Sequence, residues 1–220
     1  MRRIYVASSW KNDDQPRFVQ ELRKRGHKVY DFRNPMGRKD SDVWESVTPR
    51  VGNFEQYKRI SEVSADDFAK MLEDRDALER FRNHYIALQA ADTCILLLPC
   101  GKSAHVEAGL MAGFDKEVFV LSTESFVKPE LMYLSFGFGS EVFFTDEEKL
   151  FKALEKPVPG VCRVCGCSMN NPCSHPDHGN CYWVEPSLCS HCASKEEGGL
   201  GIKDDPLTKH CINDRINVFQ

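Results

Sequence analysis

The residues best equipped for chemistry fall in two places. The first is the stretch Cys94-Ile95-Leu96-Leu97-Leu98-Pro99-Cys100-Gly101-Lys102-Ser103-Ala104-His105-Val106-Glu107-Ala108-Gly109. Its apolar run, Cys94 to Leu98, has the length and composition of a buried strand. Pro99 and Gly101 break that run, and the small residues from Ala104 to Gly113 read as a helix. A strand, a tight polar turn and a helix start offer free backbone N–H groups to anions and polar ligands. Gly101, Lys102 and Ser103 fill that turn. Glu107 then falls in the first turn of the expected helix, at the mouth of the expected sheet. A capping box separates its Ser and Glu by three positions. Ser103 and Glu107 are four apart, so capping does not account for this carboxylate.

The second place is a run of cysteines. Seven of the ten cysteines lie between Cys162 and Cys192. Cys162-x-x-Cys165 and Cys189-x-x-Cys192 form paired knuckles with 23 residues between them. Four thiolates so spaced suit tetrahedral zinc, and Gly166 lets the chain turn after the first knuckle. Cys167, Cys173 and Cys181 remain, with His175, His178 and His191 nearby. Two readings of them stay open: a second metal site of Cys167, Cys173, Cys181 and His178, or reduced structural thiols. The segment from Cys162 to Cys192 is similar to a small cysteine-rich module of phage and bacterial proteins. That resemblance implies metal binding rather than a reaction. About 30 residues bury too little core to fold unaided, so a structural zinc would supply the folding energy. Tyr182 and Trp183 could stack a base or pack over the knuckles.

The first part of the chain, roughly residues 1–155, resembles the nucleoside 2-deoxyribosyltransferase-like family, which includes nucleotide N-glycosidases. Three pieces carry the resemblance. Ile4-Tyr5-Val6-Ala7-Ser8-Ser9-Trp10 looks like the family's opening strand and small-residue turn. Ala91-Asp92 precedes the apolar strand, as in the family's approach to its site. Ser103-Ala104-His105-Val106-Glu107-Ala108-Gly109 looks like its serine-to-glutamate element. The resemblance implies that Glu107 is a nucleophile at C1′ of an N-glycoside and that Tyr5 holds its carboxylate. It implies that Ser103, with Lys102, binds the sugar's 5′ hydroxyl or phosphate. Gly101, Asp92, Ser8, Trp10 and His84 complete the expected substrate-binding set. One departure stands out. Relatives carry an aspartate eight residues before the Ala-Asp aspartate, where this chain has His84.

These residues need a sheet to position them. Ile4 to Ala7 reads as a strand, Gln15 to Arg25 as a helix stopped by Gly26, and His27 to Phe32 as a second strand. This βαβ opening implies a parallel sheet with a right-handed crossover. Arg33 to Gly52 reads as an irregular loop, with Trp44, Phe54 and Tyr57 able to close over a ligand or to pin the loop to the core. Val63 to Ala91 is helix-rich. Glu117 to Leu121 and Val142 to Phe144 read as further strands, and Asp146 to Leu154 as a closing helix capped by Thr145 or Asp146. The expected fold is α/β: a doubly wound, Rossmann-like, mostly parallel sheet of four or five strands with a small C-terminal zinc-binding module. The expected division is 1–156 for the deoxyribosyltransferase-like domain, 157–160 for a linker, 161–194 for the zinc module and 195–220 for a polar tail.

Composition narrows the classes. The 220 residues are 41% hydrophobic and 28% charged, with formal charge -4 and pI about 6.0. That is an ordinary globular composition without the basic footprint of a nucleic-acid binder. Nucleic acid would have to engage through the cysteine module. No apolar run approaches the roughly 20 residues of a membrane helix. Met1 to Val6 does not read as a signal-peptide core, so a cytoplasmic chain with reduced thiols is expected. Two functions compete. One is an N-glycosidase or deoxyribosyltransferase acting on a nucleoside, nucleotide or related N-glycoside, without an organic cofactor. The other is a non-catalytic nucleotide-binding or sensing protein with a zinc-stabilised interaction module. The resemblance also admits a homodimer, since family sites are often completed across one.

Overall fold

The structure is a computed structural model that describes residues 1–35, 43–51, 63–137, 139–169, 172–176 and 178–196. Phe54, Tyr57 and the tail beyond 196, with His210 and Cys211, lie outside the described residues. The chain forms two compact units, Arg3–Thr145 and a second that begins at Asp146 and includes Arg2. The expected boundary at 156/157 falls inside the second unit.

The first unit is built on β1 (Arg3–Ala7), β2 (Lys28–Tyr30), β3 (Thr93–Leu97), β4 (Glu117–Leu121) and β5 (Phe143–Phe144). Every pairing is parallel and the order is β2-β1-β3-β4-β5. The sheet is thus the expected doubly wound kind, with five strands. Its order reverses between β1 and β3. In open α/β sheets ligands bind outside the carboxyl ends of the strands at such a reversal. The turn after β1, with Ser8 and Trp10, and the turn after β3, with Gly101 and then Lys102 and Ser103 at the start of the next helix, follow the strands that flank it.

Helix α1 (Gln15–Lys24) joins β1 to β2. Its buried Phe18, Val19 and Leu22 repeat at helical spacing, and Gly26 takes a positive φ of 85° beyond its end. Helices α2 (Val43–Val51), α3 (Ala65–Met71) and α4 (Arg75–Ala90) follow. The expected irregular loop is therefore partly helical. Val47 and Thr48 turn inward from α2, and their burial outweighs Pro49, which cannot donate to the preceding turn. Ser64 caps α3 through the Asp67 N–H, and Asp74 caps α4 through the Asp76 N–H.

Helix α5 (Lys102–Gly113) joins β3 to β4. It begins two residues earlier than the small-residue run suggests. Glu107 is thus its sixth residue, in the second turn rather than the first, and no acidic residue lies in the first turn. Ala104, Ala108 and Met111 pack from α5 into one core with Tyr5, Ala7, Cys94 and Leu96 of the sheet and with Ala87, Leu88 and Ala91 at the end of α4. Along β1 the side chains alternate faces. Tyr5 and Ala7 therefore point to the face that α4 and α5 cover. The two alanines of α5 are short enough for its backbone to approach the sheet closely, which brings Glu107 over Tyr5.

In the second unit, Asp146 caps α6 (Glu147–Leu154) by accepting from the Glu148 and Lys149 N–H groups. The Arg2 guanidinium donates to the Leu154 and Lys156 carbonyls at 2.7 and 2.6 Å, satisfying the carbonyls that the helix end leaves free. Two short hairpins follow, β6 (Ser174–His175) with β7 (Gly179–Asn180) and β8 (Trp183–Glu185) with β9 (Leu188–Cys189), then α7 (Ser190–Glu196). No helix among the described residues is long and apolar enough to cross a membrane.

Candidate active site and cysteine cluster

Three elements meet on one carboxylate oxygen. The Tyr5 hydroxyl rises from the centre of β1 and donates to Glu107 Oε1 at 2.8 Å. His84 Nδ1, from α4, lies 3.2 Å from the same oxygen and 3.2 Å from the Tyr5 hydroxyl. The tyrosine has one proton, and it goes to Glu107. A carboxylate only accepts, so the bond to His84 requires the proton on Nδ1. That tautomer leaves His84 Nε2 with its lone pair. The Glu107 side chain is 17% exposed and that of His84 31%, so both are reachable from outside.

The surrounding rings fix this arrangement. Tyr30 stacks on Tyr5 with centroids 5.3 Å apart and planes at 15°. The His84 ring stands edge-on to both, at 6.4 and 6.0 Å. Burial, then the Glu107 charge, pushes the Tyr5 hydroxyl well above its ordinary value, which keeps it a neutral donor. The same two causes raise the Cys94 thiol, and they push Cys100 up to about 12. Neither cysteine is a thiolate nucleophile in this setting.

The rim joins the expected Ser8 and Trp10 to two residues that the sequence alone did not single out, Asn12 and Arg33. The Ser8 hydroxyl donates to the Leu97 carbonyl at 3.0 Å. Asn12 Nδ2 donates to Ser8 Oγ and to the Pro99 carbonyl at 3.1 and 3.2 Å, tying the turn after β1 to the turn after β3. Trp10 stands edge-on to Phe32 at 5.0 Å, with the Arg33 guanidinium 5.7 Å from its ring centre. Arg33 also donates to the Trp10 and Asn12 carbonyls at 2.7 and 2.9 Å. A lone arginine after a strand carries no sequence signal for such a clamp. Trp44 packs on Phe68 at 5.6 Å.

Gly101, Lys102 and Ser103 are exposed at the start of α5, which no side chain caps. His105, one turn on, is fixed in place. Its Nδ1 lies 2.9 Å from the Gly101 carbonyl and its Nε2 2.9 Å from the Tyr133 hydroxyl, with the two rings stacked. A carbonyl accepts only, so Nδ1 carries the proton there. Asp92 lies apart from this group. Both its oxygens accept from the Arg3 backbone N–H at 3.1 Å, and Thr93 donates to it at 3.1 Å. Its carboxylate pins the start of β1 to the start of β3, away from the turns at their other ends.

In the second unit the cysteine sulfurs converge. Those of Cys162, Cys165, Cys189 and Cys192 all lie within 4.8 Å of one another, as do those of Cys165, Cys167, Cys173 and Cys189. Such clusters could hold a metal ion. The sulfurs themselves form the core, with Cys162, Cys167, Cys189 and Cys192 buried around Leu188. Gly166 turns with a φ of 69°, and its N–H donates to the Cys162 carbonyl at 2.8 Å. Burial pushes the Cys162 thiol up, but backbone N–H groups of Cys165, Cys189 and Val164 outweigh it and bring the thiol down to about 6. His178 stacks on His175 with centroids 4.9 Å apart. His191 reaches the sulfurs, with Nδ1 3.4 Å from Cys173 Sγ.

No family model matches the chain, and no curated protein does. Solved structures give distant likenesses. One is a 2-deoxyribosyltransferase of the psychrotolerant bacterium Bacillus psychrosaccharolyticus, at 19% identity and TM-score 0.37, covering 67% of this chain and 89% of that one. Another is the CMP N-glycosidase BcmB of Clostridium botulinum, at 14% identity and TM-score 0.35, covering 70% of this chain and 100% of that one. Likeness at this level decides neither reaction nor substrate.

Two tests follow from the geometry. Asp92→Ala removes the carboxylate that both the Arg3 N–H and the Thr93 hydroxyl donate to, which costs about 1–3 kcal/mol. The urea midpoint should fall accordingly; an unchanged midpoint would show that these bonds do not hold the strands. The second test is pH dependence. Tyrosine ordinarily titrates at about 10. Below that pH both the folded and the unfolded chain keep the Tyr5 proton, and its bond to Glu107 contributes in full. Above it the unfolded chain sheds the proton while the folded chain retains it, so this contribution declines with rising pH. Urea midpoints of wild type and Tyr5→Phe should differ most near neutral pH and converge above about pH 10. A difference independent of pH would show that Tyr5 is not the buried donor.

Proposed function

We propose that the first unit cleaves the C1′–N bond of a nucleoside or nucleotide, as an N-glycosidase or deoxyribosyltransferase, with Glu107 as nucleophile. The observation that carries this reading is the pair of donors, Tyr5 and His84, on one oxygen of a reachable carboxylate near the sheet's switch point. With Oε1 so held, Oε2 is the oxygen to meet C1′. Departure of the base develops positive charge on the sugar, which the carboxylate stabilises and then traps as a glycosyl ester. The C1′–N bond breaks as the C1′–O bond forms. Water or a second base then displaces Glu107 from the other face, and two displacements give net retention. Ser103, Lys102 and the uncapped N–H groups of α5 would receive the 5′ hydroxyl or phosphate. Ser8, Trp10 and Gly101 would line the cleft.

His84 stands where relatives carry an aspartate. With its proton on Nδ1, Nε2 would first have to take a proton from water to pass one to the leaving base, and would take one back from the water that attacks in the second step. A second reading is nucleotide binding without cleavage, in a sensing protein, and the same histidine favours it. An imidazole bonded to the nucleophile's oxygen replaces a dedicated acid, and proton delivery then depends on Nε2 alone.

In the second unit, Cys162, Cys165, Cys189 and Cys192 would bind structural zinc as thiolates at about 2.3 Å. A reduced metal-thiolate module suits a cytoplasmic chain. No step of glycosyl transfer needs this metal.

Glu107→Gln tests the assignment. The glutamine carbonyl still accepts from Tyr5 and His84, so stability should change by only about 1 kcal/mol. Base release from nucleosides and nucleoside monophosphates, followed by chromatography, should fall by roughly 10⁴-fold or more, while nucleotide binding survives. Full activity in the variant would remove Glu107 as nucleophile. Binding without base release in the wild type would select the sensing reading. Chelation separates the units. Stripping the metal from the full chain should unfold residues 161–194 while the first unit keeps its fold and activity. Hydrogen exchange with an activity assay reads both, and activity lost with the first unit intact would mean that the module takes part in the site.

A further inference from the structure

The two four-sulfur groups are not separate. Cys162, Cys165, Cys189 and Cys192 make one, and Cys165, Cys167, Cys173 and Cys189 make the other. They share Cys165 and Cys189. The shared sulfurs are 3.8 Å apart, and none of these cysteines is in a disulfide. A tetrahedral zinc with bonds of about 2.3 Å has sulfur–sulfur edges of about 3.8 Å. The shared pair therefore has the length of an edge common to two such tetrahedra. A second edge is present too, since Cys173 and Cys189 are also 3.8 Å apart.

We propose that the module holds two divalent metal ions in one cluster, bridged by the Cys165 and Cys189 thiolates. Cys162 and Cys192 complete the first ion, and Cys167 and Cys173 complete the second. Soft thiolates in tetrahedral sets select zinc. The proposal extends the four-cysteine site above and replaces the second set expected from sequence, Cys167, Cys173, Cys181 and His178. His178 stacks on His175 and belongs to neither convergent group. Cys181 and His191 become hydrogen-bonding neighbours of the outer ligands rather than ligands. Cys181 Sγ lies 3.6 Å from Cys167 Sγ, and His191 Nδ1 3.4 Å from Cys173 Sγ. Six thiolates and two divalent ions leave a net charge of -2, which donors at the outer sulfurs offset.

Elemental analysis of the full chain purified under reduction should find two zinc ions per chain. Cadmium-113 exchanged into the wild-type protein should give two resonances coupled to each other through the shared sulfurs. Cys173→Ser should retain one ion, Cys189→Ser should retain none, and Cys181→Ser should keep both. The cadmium spectrum needs no variant, so the proposal stays testable if a substitution prevents folding. One ion per chain would overturn the bridged pair and leave the four-cysteine site standing. No ion would overturn both. Two uncoupled resonances, with one ion lost in Cys181→Ser, would overturn the bridge in favour of two independent sites.

Discussion

Much of the first unit depends on one oxygen atom. Glu107 Oε1 receives the Tyr5 hydroxyl and the His84 imidazole, and these side chains come from a strand and a helix far apart in sequence. A contact of this kind forms only if several conditions hold together. The sheet must register β1 against β3 so that Tyr5 sits opposite Cys94. Helix α5 must lie close to the sheet, which its alanines allow. Helix α4 must end at Ala87, Leu88 and Ala91 in the same core. The Tyr30 ring under Tyr5 then removes the remaining freedom of the tyrosine. Tight packing transmits position, so the carboxylate is placed by the whole α4–α5 face rather than by its own helix.

The second unit reaches order by a different route. The buried cluster of its cysteine module is mostly sulfur, with Leu188 as its aliphatic member. Apolar area of that size cannot offset the chain entropy of several dozen residues. Backbone donors are nevertheless aimed at Cys162, and its thiol is brought down to about 6 against the effect of burial. Burial instead pushes up the thiols of Cys167, Cys173, Cys189 and Cys192, so a metal would have to displace their protons to be bound by thiolates.

The sequence made the parallel sheet legible because βα alternation and apolar runs encode it locally, from Ile4 to Ala7 and again from Cys94 to Leu98. Glu107 was legible for the same reason, as a carboxylate just past a strand and a turn. Its setting was not. Counting the helix from Ala104 put Glu107 in the first turn, where a helix dipole would act. The structure starts the helix at Lys102, and the dipole's influence falls off within one turn. Two side-chain donors take over that role, and neither is near in sequence. Asp92 shows the converse. Its motif position suggested the site, while its bonds go to Arg3 and Thr93. Arg33 and Asn12 bind backbone carbonyls across turns, and such partners are set by the fold rather than by spacing. Helix α2 was hidden by Pro49, since a breaker is visible in sequence and the burial of Val47 is not.

His84 matters most for what it changes. A carboxylate at its position, about 3 Å from Glu107, would set two like charges side by side, and one of them would be driven to keep a proton. That arrangement supplies an acid at the expense of strong coupling between the two groups. An imidazole donating through Nδ1 reverses the interaction, since it attracts the charge on Glu107 instead of repelling it. The geometry around the proposed nucleophile is therefore preserved, while the inventory of protons is not. In the proposed reaction a proton for the leaving base would travel by Nε2, on a side chain that is 31% exposed. The imidazole thus holds the carboxylate by attraction and leaves its second nitrogen on the open side of the pair.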